Sequence, residues 1–282
     1  HWDAAGEHAR ALPHAMVAAE RARMQFALET AELNYRIAER GAADADASTR
    51  FRIAAGLGDV LMLRGRYDAA QQQLERAQQL AHNRLERARL SSKLGELEFK
   101  RGNMAESNAA NEQGLRLLER WVPAHNVTYG LRAAWELLVQ AGHTLWPGRL
   151  ARRGLEHAEE DLLAVHFYNR LTYGYWYKRG PLQTFWAHLR EVNVAERYPP
   201  TPELAQAYST HSPVMTQVPW FSRAISYLEK SLAMRRQWGD TWGQGQTLHF
   251  YSLALYASGR FEESIDKARE GMRLLTRTGD KW

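Results

Sequence analysis

Residues 171–186, LTYGYWYKRGPLQTFW, contain side chains whose types and spacing could bind a ligand. The segment carries six aromatic residues: Tyr173, Tyr175, Trp176, Tyr177, Phe185 and Trp186. Such rings can enclose an apolar molecule or stack on nucleic-acid bases. The competing interpretation is core packing, because the rings lie in helical apolar patterns. The same pattern favours a core position for four of the tryptophans: Trp135, Trp176, Trp186 and Trp242.

Two smaller clusters carry charge. His157 with Glu159, Glu160 and Asp161 is the nearest arrangement to a metal site, but its spacing favours a solvated helix face. Arginines at positions 149, 152 and 153 could contact phosphate. A solvated helix face is again the favoured interpretation, so we predict no metal ion and regard nucleic acid as a less favoured ligand. The three arginines are Arg149, Arg152 and Arg153.

Residue sets that catalyse reactions are missing from the sequence. With no cysteine, disulfides, thiolate-zinc sites and cysteine nucleophiles are excluded. No Gly-Lys pair occurs, which excludes a Walker phosphate-binding loop, and neither HExxH nor GxSxG is found. We therefore predict no catalytic residue, no cofactor and no enzymatic activity for this region.

The composition is that of a folded protein with a substantial core. The 282 residues are 45% apolar and 24% charged, with a net charge of +5 and a pI near 9.4. That charge is a weak indication of anionic partners. No apolar run approaches the roughly 20 residues that cross a bilayer, and no leader follows His1. We expect a fragment of a longer cytoplasmic polypeptide that does not contact membranes.

A repeated helix-turn-helix pattern positions these residues. Residues 57–81, 94–118 and 251–275 each read as a helix, a turn and a second helix, with turns at Gly65, Gly102 and Gly259. Two further turns begin at Gly180 and Val218. Successive markers at 65 and 102, 180 and 219, and 219 and 259 are 37, 39 and 40 residues apart. The period is therefore about 39 residues, which is typical of an array of helical hairpins.

Two units and two linkers depart from this pattern. The middle unit, residues 123–165, has Trp146-Pro147-Gly148 in place of the usual turn. The N-terminal unit, residues 13–40, is degenerate, with a second helix that contains Ala31, Tyr35 and Ala38. Residues 41–49 and the proline-rich 198–202 are predicted connections. We predict an all-α, right-handed α-solenoid of six or seven hairpins, about 14 helices, as one domain over 1–282.

At these positions the chain resembles the tetratricopeptide repeat. The resemblance is good in the first helix of 88–121 and extends to 245–278. Small residues at Gly58 and Ala70 would let two helices approach closely. On residues 51–84 the signature places fall on Ala54, Leu57, Gly58, Leu61, Tyr67, Ala70, Leu74 and Ala77.

A narrower resemblance covers residues 185–215 and 242–267. They look like the helical-repeat region of large bacterial signalling proteins that join a STAND-type or AAA-type ATPase to repeats, often with a kinase or cyclase. The resemblance implies a non-catalytic sensor or scaffold in a bacterial cytoplasm. Its partner would be a protein or peptide, including other domains of the same polypeptide.

In such arrays the first helices of successive hairpins line a concave groove that receives a partner. Met62, Phe99, Tyr177 and Tyr256 occupy equivalent places and would form an apolar stripe, and the basic members would meet acidic groups. Within 171–186, Trp176 should point into its hairpin, leaving Tyr177 on the surface. The groove candidates are Arg52, Met62, Arg89, Lys93, Phe99, Arg170, Tyr177, Lys178, His249 and Tyr256.

Two other functions stay open. A regulatory domain could enclose a small molecule within the aromatic-rich centre, residues 135–186. Alternatively, the arginine-rich surface could bind nucleic acid, in which case affinity would fall with salt.

Overall fold

The computed structural model describes residues 1–146 and 153–278. This part of the chain contains 13 α-helices, a 3₁₀ turn at Leu155–His157, and no strand. Helices that are adjacent in sequence pack as hairpins, which confirms the predicted all-α repeat fold. The chain divides into two compact units, His1–Val122 and Pro123–Trp282, and the single array expected over 1–282 stays a prediction.

The described residues of the first unit form three hairpins, in which every helix except α6 also contacts a neighbouring hairpin. Its core is apolar and is built around residues such as Leu57, Leu61 and Leu74. The helices are α1 His8–Met24, α2 Leu28–Arg40, α3 Ala47–Leu63, α4 Tyr67–Leu80, α5 Arg84–Arg101 and α6 Met104–Leu117.

The second unit consists of one helix followed by three hairpins. The single helix, α7, packs against α9, and the hairpins are α8/α9, α10/α11 and α12/α13. The helices are α7 Asn126–Leu145, α8 Glu159–Lys178, α9 Pro181–Ala195, α10 Pro202–Gln217, α11 Phe221–Gln237, α12 Thr241–Ala257 and α13 Phe261–Thr278.

Glycine turns separate the helices of most hairpins, as the repeat pattern predicts. Gly65, Gly102, Gly180 and Gly259 all have positive φ, between 74° and 112°. Glycine adopts this conformation without the Cβ strain that other residues meet. Pro181 then begins α9, where its fixed φ suits the first helical position.

Close helix packing inside the first unit depends on small residues. A Cβ atom added at Gly58 would lie 2.9 Å from the Leu74 side chain and 3.3 Å from the Ala70 carbonyl oxygen. The first distance is shorter than real Cβ atoms show, and the second is tighter than most Cβ contacts. The close-approach position expected from the tetratricopeptide resemblance is therefore present in α3 and α4.

The middle repeat differs from the prediction. Residues 159–165, expected in the second helix of that repeat, instead begin α8, the first helix of the next hairpin. Pro147 and Gly148 lie outside the described residues. Helix α7 packs on α9 through Tyr129, whose ring is 5.3 Å from that of Trp186, and Glu136, which accepts a hydrogen bond from Arg190 at 2.9 Å.

The predicted connections end at capping residues. Asp46 ends the first connection by accepting a hydrogen bond from the Thr49 backbone N–H at 2.9 Å. Because α3 begins at Ala47, the last three residues of the predicted 41–49 linker are helical. Thr201 caps α10 in the same way, and α10 begins at Pro202, so only the last residue of the proline-rich connection is helical. None of the helices described in 1–146 and 153–278 has the length and apolar character needed to cross a bilayer.

Candidate binding site

An apolar cleft of about 520 Å³ lies in the second unit, and we refer to it as the aromatic cleft. Its walls come from α8, α9, α10 and α12 together with the turn after α10, and none of its lining residues is charged. An uncharged, largely apolar site of this size falls in the range of ligand and peptide-anchor sites, roughly 300–1,000 Å³. The residues that line it are Thr172, Tyr173, Trp176, Tyr177, Pro181, Leu182, Thr184, Phe185, Thr210, Pro213, Val214, Gln217, Val218 and Phe250.

Local hydrogen bonds fix the walls of the aromatic cleft. Thr184 at the start of α9 donates to the Gly180 carbonyl at 3.0 Å, which ties the turn to the helix. Thr210 donates to the buried Glu191 carboxylate at 3.0 Å. Burial, and secondarily the charge of Glu191, raises the pKa of Tyr173, so its phenol stays neutral. The cleft therefore offers apolar contacts and neutral hydroxyl groups, without a nucleophile or general base.

Two aromatic side chains form an exposed rim. Trp176 is 49% exposed and Tyr177 is 67% exposed, which leaves the aromatic cleft open to solvent. Exposed aromatic residues beside an apolar cleft are typical of interaction sites, because a partner that covers them removes a large apolar area from water.

The six aromatic residues of 171–186 have different roles. Tyr175 and Trp186 are buried, and Trp186 packs edge-on against the Tyr168 ring at 5.7 Å. Tyr173 and Phe185 line the cleft, and Tyr177 is on the surface as predicted. The core position predicted for Trp176 is wrong.

The core prediction is also wrong for Trp135 and Trp242, both of which are exposed, while Trp186 confirms it. Helical periodicity identifies an apolar face, but whether a neighbouring helix covers that face depends on tertiary packing. In α7, apolar residues lie on the exposed side as well as on the side that packs against α9.

Three predicted groove residues of the first unit are either buried or paired with acidic side chains. Met62 is 1% exposed and belongs to the apolar core, so its place in an apolar surface stripe is wrong. Helix α3 contacts α1, α2, α4 and α5, so more of its circumference is buried than the tetratricopeptide pattern predicts. Arg52 pairs with Glu20 at 2.5 Å, and Lys93 pairs with Asp59 at 2.7 Å. Those two basic side chains thus meet acidic groups of their own chain.

The remaining groove candidates keep some exposure. Phe99 and Arg170 are half-buried, and Arg89 is exposed. Tyr177, Lys178, His249 and Tyr256 are exposed, but of all the predicted groove residues only Tyr177 lines the aromatic cleft. A continuous partner-binding groove formed by these residues stays a prediction.

The sequence analysis considered Trp176 and Phe185 as ligand contacts but favoured core packing for them, and it did not identify Val214 or Phe250. Their convergence depends on which helices are neighbours, and periodicity does not give that information. One signal was available in the sequence. Pro213 interrupts a helical pattern, and a proline inside a helix marks a place where the backbone loses a hydrogen bond.

Of the two small charged clusters, the structure describes the one around His157 in full and only one arginine of the other. His157 is exposed in the 3₁₀ turn, whereas Asp161 is buried and accepts a hydrogen bond from Tyr198 at 2.6 Å. In the described part of the chain, no three His, Asp or Glu side chains converge as metal ligands. Arg149 and Arg152 lie outside the described residues, and Arg153 is 3.6 Å from Asp161.

A buried chain of polar groups crosses the second unit behind the aromatic cleft. Arg223 donates from Nε to His211 Nε2 at 3.0 Å, and His211 Nδ1 is 2.8 Å from His188 Nε2. Because arginine can only donate, His211 carries its proton on Nδ1 and donates it to His188. His188 Nδ1 in turn lies 3.5 Å from the buried Glu191 carboxylate. Burial, with the charges of His188, Arg223 and Lys230, holds the pKa of His211 well below 6.5.

Comparison with solved structures supports the repeat fold. BtubC (BKLC) from P. vanneervenii is similar with a TM-score of 0.56 and 14% identity, covering 97% of this chain and 92% of that protein. A Rap protein complexed with competence and sporulation factor aligns with a TM-score of 0.41 and 11% identity, covering 96% and 78%. No protein-family model matches the sequence, and no curated protein matches it. At these identities, the likeness to BtubC shows the fold alone.

Proposed function

We propose that this protein is a non-catalytic binding module that receives apolar side chains of a protein or peptide partner in the aromatic cleft. The observation that carries the proposal is the open, uncharged cleft of about 520 Å³ with Trp176 and Tyr177 exposed at its rim. Tryptophan and tyrosine are the residues that most often dominate interface energies.

The walls of the cleft suggest the chemistry of the partner. Because no charged side chain lines it, binding would gain free energy mainly from apolar burial. An amphipathic helix or an extended peptide that presents one or two large apolar residues fits this requirement. The neutral hydroxyl groups of Thr172 and Tyr173 could then position the partner's backbone.

A small apolar molecule is the second candidate, favoured by the volume of the cleft. The exposed rim argues for the macromolecular partner, because a small ligand would leave much of Trp176 and Tyr177 in water. Nothing in the uncharged walls supports nucleic-acid binding at this position.

The resemblance of residues 185–215 and 242–267 supports a wider setting for the module. We place it in a bacterial cytoplasmic signalling polypeptide with a STAND-type or AAA-type ATPase, a kinase or a cyclase. Partner binding would shift the equilibrium between two arrangements of the repeats and the neighbouring domains. The partner would be a separate protein or another domain of the same polypeptide.

The test uses helical peptides selected on the wild-type chain from a library of amphipathic sequences. Fluorescence anisotropy would give the dissociation constant for wild type, Tyr177→Ala and Tyr256→Ala. Tyr256 is a matched control, since it is 65% exposed but does not line the cleft. We expect Tyr177→Ala to weaken binding by about tenfold, as for a typical interface anchor.

The control is expected to change affinity by less than about twofold, since surface contacts outside an anchor site contribute little. Equal losses in both variants, or no loss in either, would refute the assignment of the aromatic cleft as the partner site.

A further inference from the structure

A second groove lies between α7 and α11, and we refer to it as the α7–α11 groove. It shares the wall residue Phe185 with the aromatic cleft. It consists of a polar cavity of about 540 Å³ and an apolar cavity of about 260 Å³. The two cavities share two wall residues, Thr144 of α7 and Arg223 of α11. Helices α9 and α10 contribute the rest of the walls.

Arg223 is held in place by neutral acceptors. It donates to His211, to Thr144 Oγ1 at 3.1 Å, to Gln140 Oε1 at 2.6 Å and to Tyr227 OH at 2.9 Å. These contacts use four of the five guanidinium N–H groups and leave one on Nη1. In the described part of the chain, no carboxylate lies within 4.0 Å of this guanidinium.

Lys230 is a second cation on the same wall. Its ammonium group lies 4.5 Å from the centre of the Tyr227 ring and 5.7 Å from that of Tyr208. Within residues 1–146 and 153–278 it has no carboxylate partner either, so its three N–H groups are available to a ligand.

The one carboxylate in the groove is already engaged. Glu196 accepts hydrogen bonds from Gln140 Nε2 at 2.8 Å and Tyr208 OH at 3.1 Å, and it lies 2.5 Å from His143 Nδ1. The Gln140 amide also lies between Glu196 and Arg223, because its oxygen accepts from the guanidinium. The polar cavity therefore retains two cations that Glu196 does not contact.

The other end of the α7–α11 groove is apolar. It extends from Arg223 along large aliphatic and aromatic side chains, so a ligand bound at the cations could place an apolar group there. These side chains are Leu137, Leu145, Phe185, Leu189, Met215 and Trp220.

We propose that the α7–α11 groove binds a carboxylate that is attached to an apolar group. The carboxylate would accept hydrogen bonds from Lys230 Nζ and from the remaining N–H of Arg223 Nη1. The apolar group would occupy the cavity beside Phe185 and Trp220. A free carboxylic acid and the C-terminal residue of a peptide share this chemistry.

Isothermal titration calorimetry on the purified chain tests the proposal with two probes, octanoate and the peptide acetyl-Ala-Ala-Leu with a free carboxylate. Octanamide and the amidated peptide are the neutral counterparts. We expect at least one carboxylate to bind about tenfold or more tightly than its amide, because a hydrogen bond to a charged group contributes that much. Which carboxylate binds identifies the source.

Lys230→Gln should weaken the bound carboxylate by about tenfold, and Lys267→Gln should leave it unchanged. Lys267 is the matched control, since it also lies over a tyrosine ring, at 5.5 Å from Tyr251, but has Glu270 as its partner at 3.5 Å. Arg223→Gln is a further variant, used with a thermal melt because Arg223 also holds α7.

Equal binding of acids and amides, no binding of either acid, or undiminished affinity in Lys230→Gln would overturn the proposal. Neither Lys230 nor Arg223 lines the aromatic cleft, so these outcomes test the carboxylate site and leave the partner site to its own experiment.

Discussion

Trp186 and Trp176 lie ten residues apart in one hairpin, and we expect their replacement by alanine to have very different effects. Trp186 is 2% exposed and packs against the rings of Tyr129 and Tyr168, whereas Trp176 is 49% exposed at the rim of the aromatic cleft. The pair separates core packing from surface binding with the same substitution.

The expected magnitude follows from the buried area. A tryptophan side chain offers up to about 250 Å², so full burial corresponds to about 6 kcal/mol at about 25 cal/mol per Å². This is an upper bound, because the unfolded chain already buries some apolar surface. Observed Trp→Ala costs of about 3–5 kcal/mol in cores lead us to expect about 4 kcal/mol for Trp186→Ala.

Trp176 buries about half as much area, so its replacement should cost about 2 kcal/mol, half the value expected for Trp186→Ala. Urea unfolding followed by far-ultraviolet circular dichroism gives both free energies of unfolding. Equal destabilisation by the two substitutions, or a loss below about 2 kcal/mol for Trp186→Ala, would contradict the assigned packing, since core tryptophans cost more.

Two further predictions concern the backbone and a buried histidine. Gly102→Ala should destabilise by about 1 kcal/mol because φ is 82°, whereas Gly130→Ala, in α7 with open space around the added methyl group, should stabilise by about 0.5–1 kcal/mol. Thermal melts of both variants check these signs, and a stabilised Gly102→Ala would contradict the turn assignment. The lowered pKa of His211 means that the unfolded chain takes up a proton that the folded protein does not bind. Stability should fall as pH decreases below about 6.5, with a slope of at most about 1.4 kcal/mol per pH unit from this group. His211→Gln should reduce that slope in urea titrations, and an unchanged slope would exclude His211 as its origin.

Local sequence signals predict the hairpins well. Each turn glycine can be identified from the residues beside it in the sequence. The small residues Gly58 and Ala70 likewise indicate where α3 and α4 approach closely. These features depend on backbone conformation and on contacts within one hairpin. The sequence predicts these features because the two residues of each contact lie within about one repeat period of each other.

The candidate sites depend on contacts that the period does not encode. Phe250 reaches the aromatic cleft from α12, and Gln140 meets Arg223 across 83 residues. Met62 and Trp176 both lie in helical apolar patterns, yet Met62 is buried and Trp176 is exposed. The difference comes from the number of helices packed around α3 and around α8. The sequence also did not indicate that α7 lacks a hairpin partner among the described residues, since α7 itself has ordinary helical periodicity.

Buried polar contacts that join α7, α9 and α11 of the second unit have a consequence for how its hairpins assemble. In a repeat array, hairpins with similar apolar faces can associate in the wrong order and still exclude water. Asn193 finds its acceptors on Glu136 and Arg223 finds its acceptor on Gln140 only when α7, α9 and α11 occupy their native places. A misordered arrangement would leave these groups buried without partners, at a cost of about 1–3 kcal/mol for each group. These polar contacts thus penalise misassembly of the second unit.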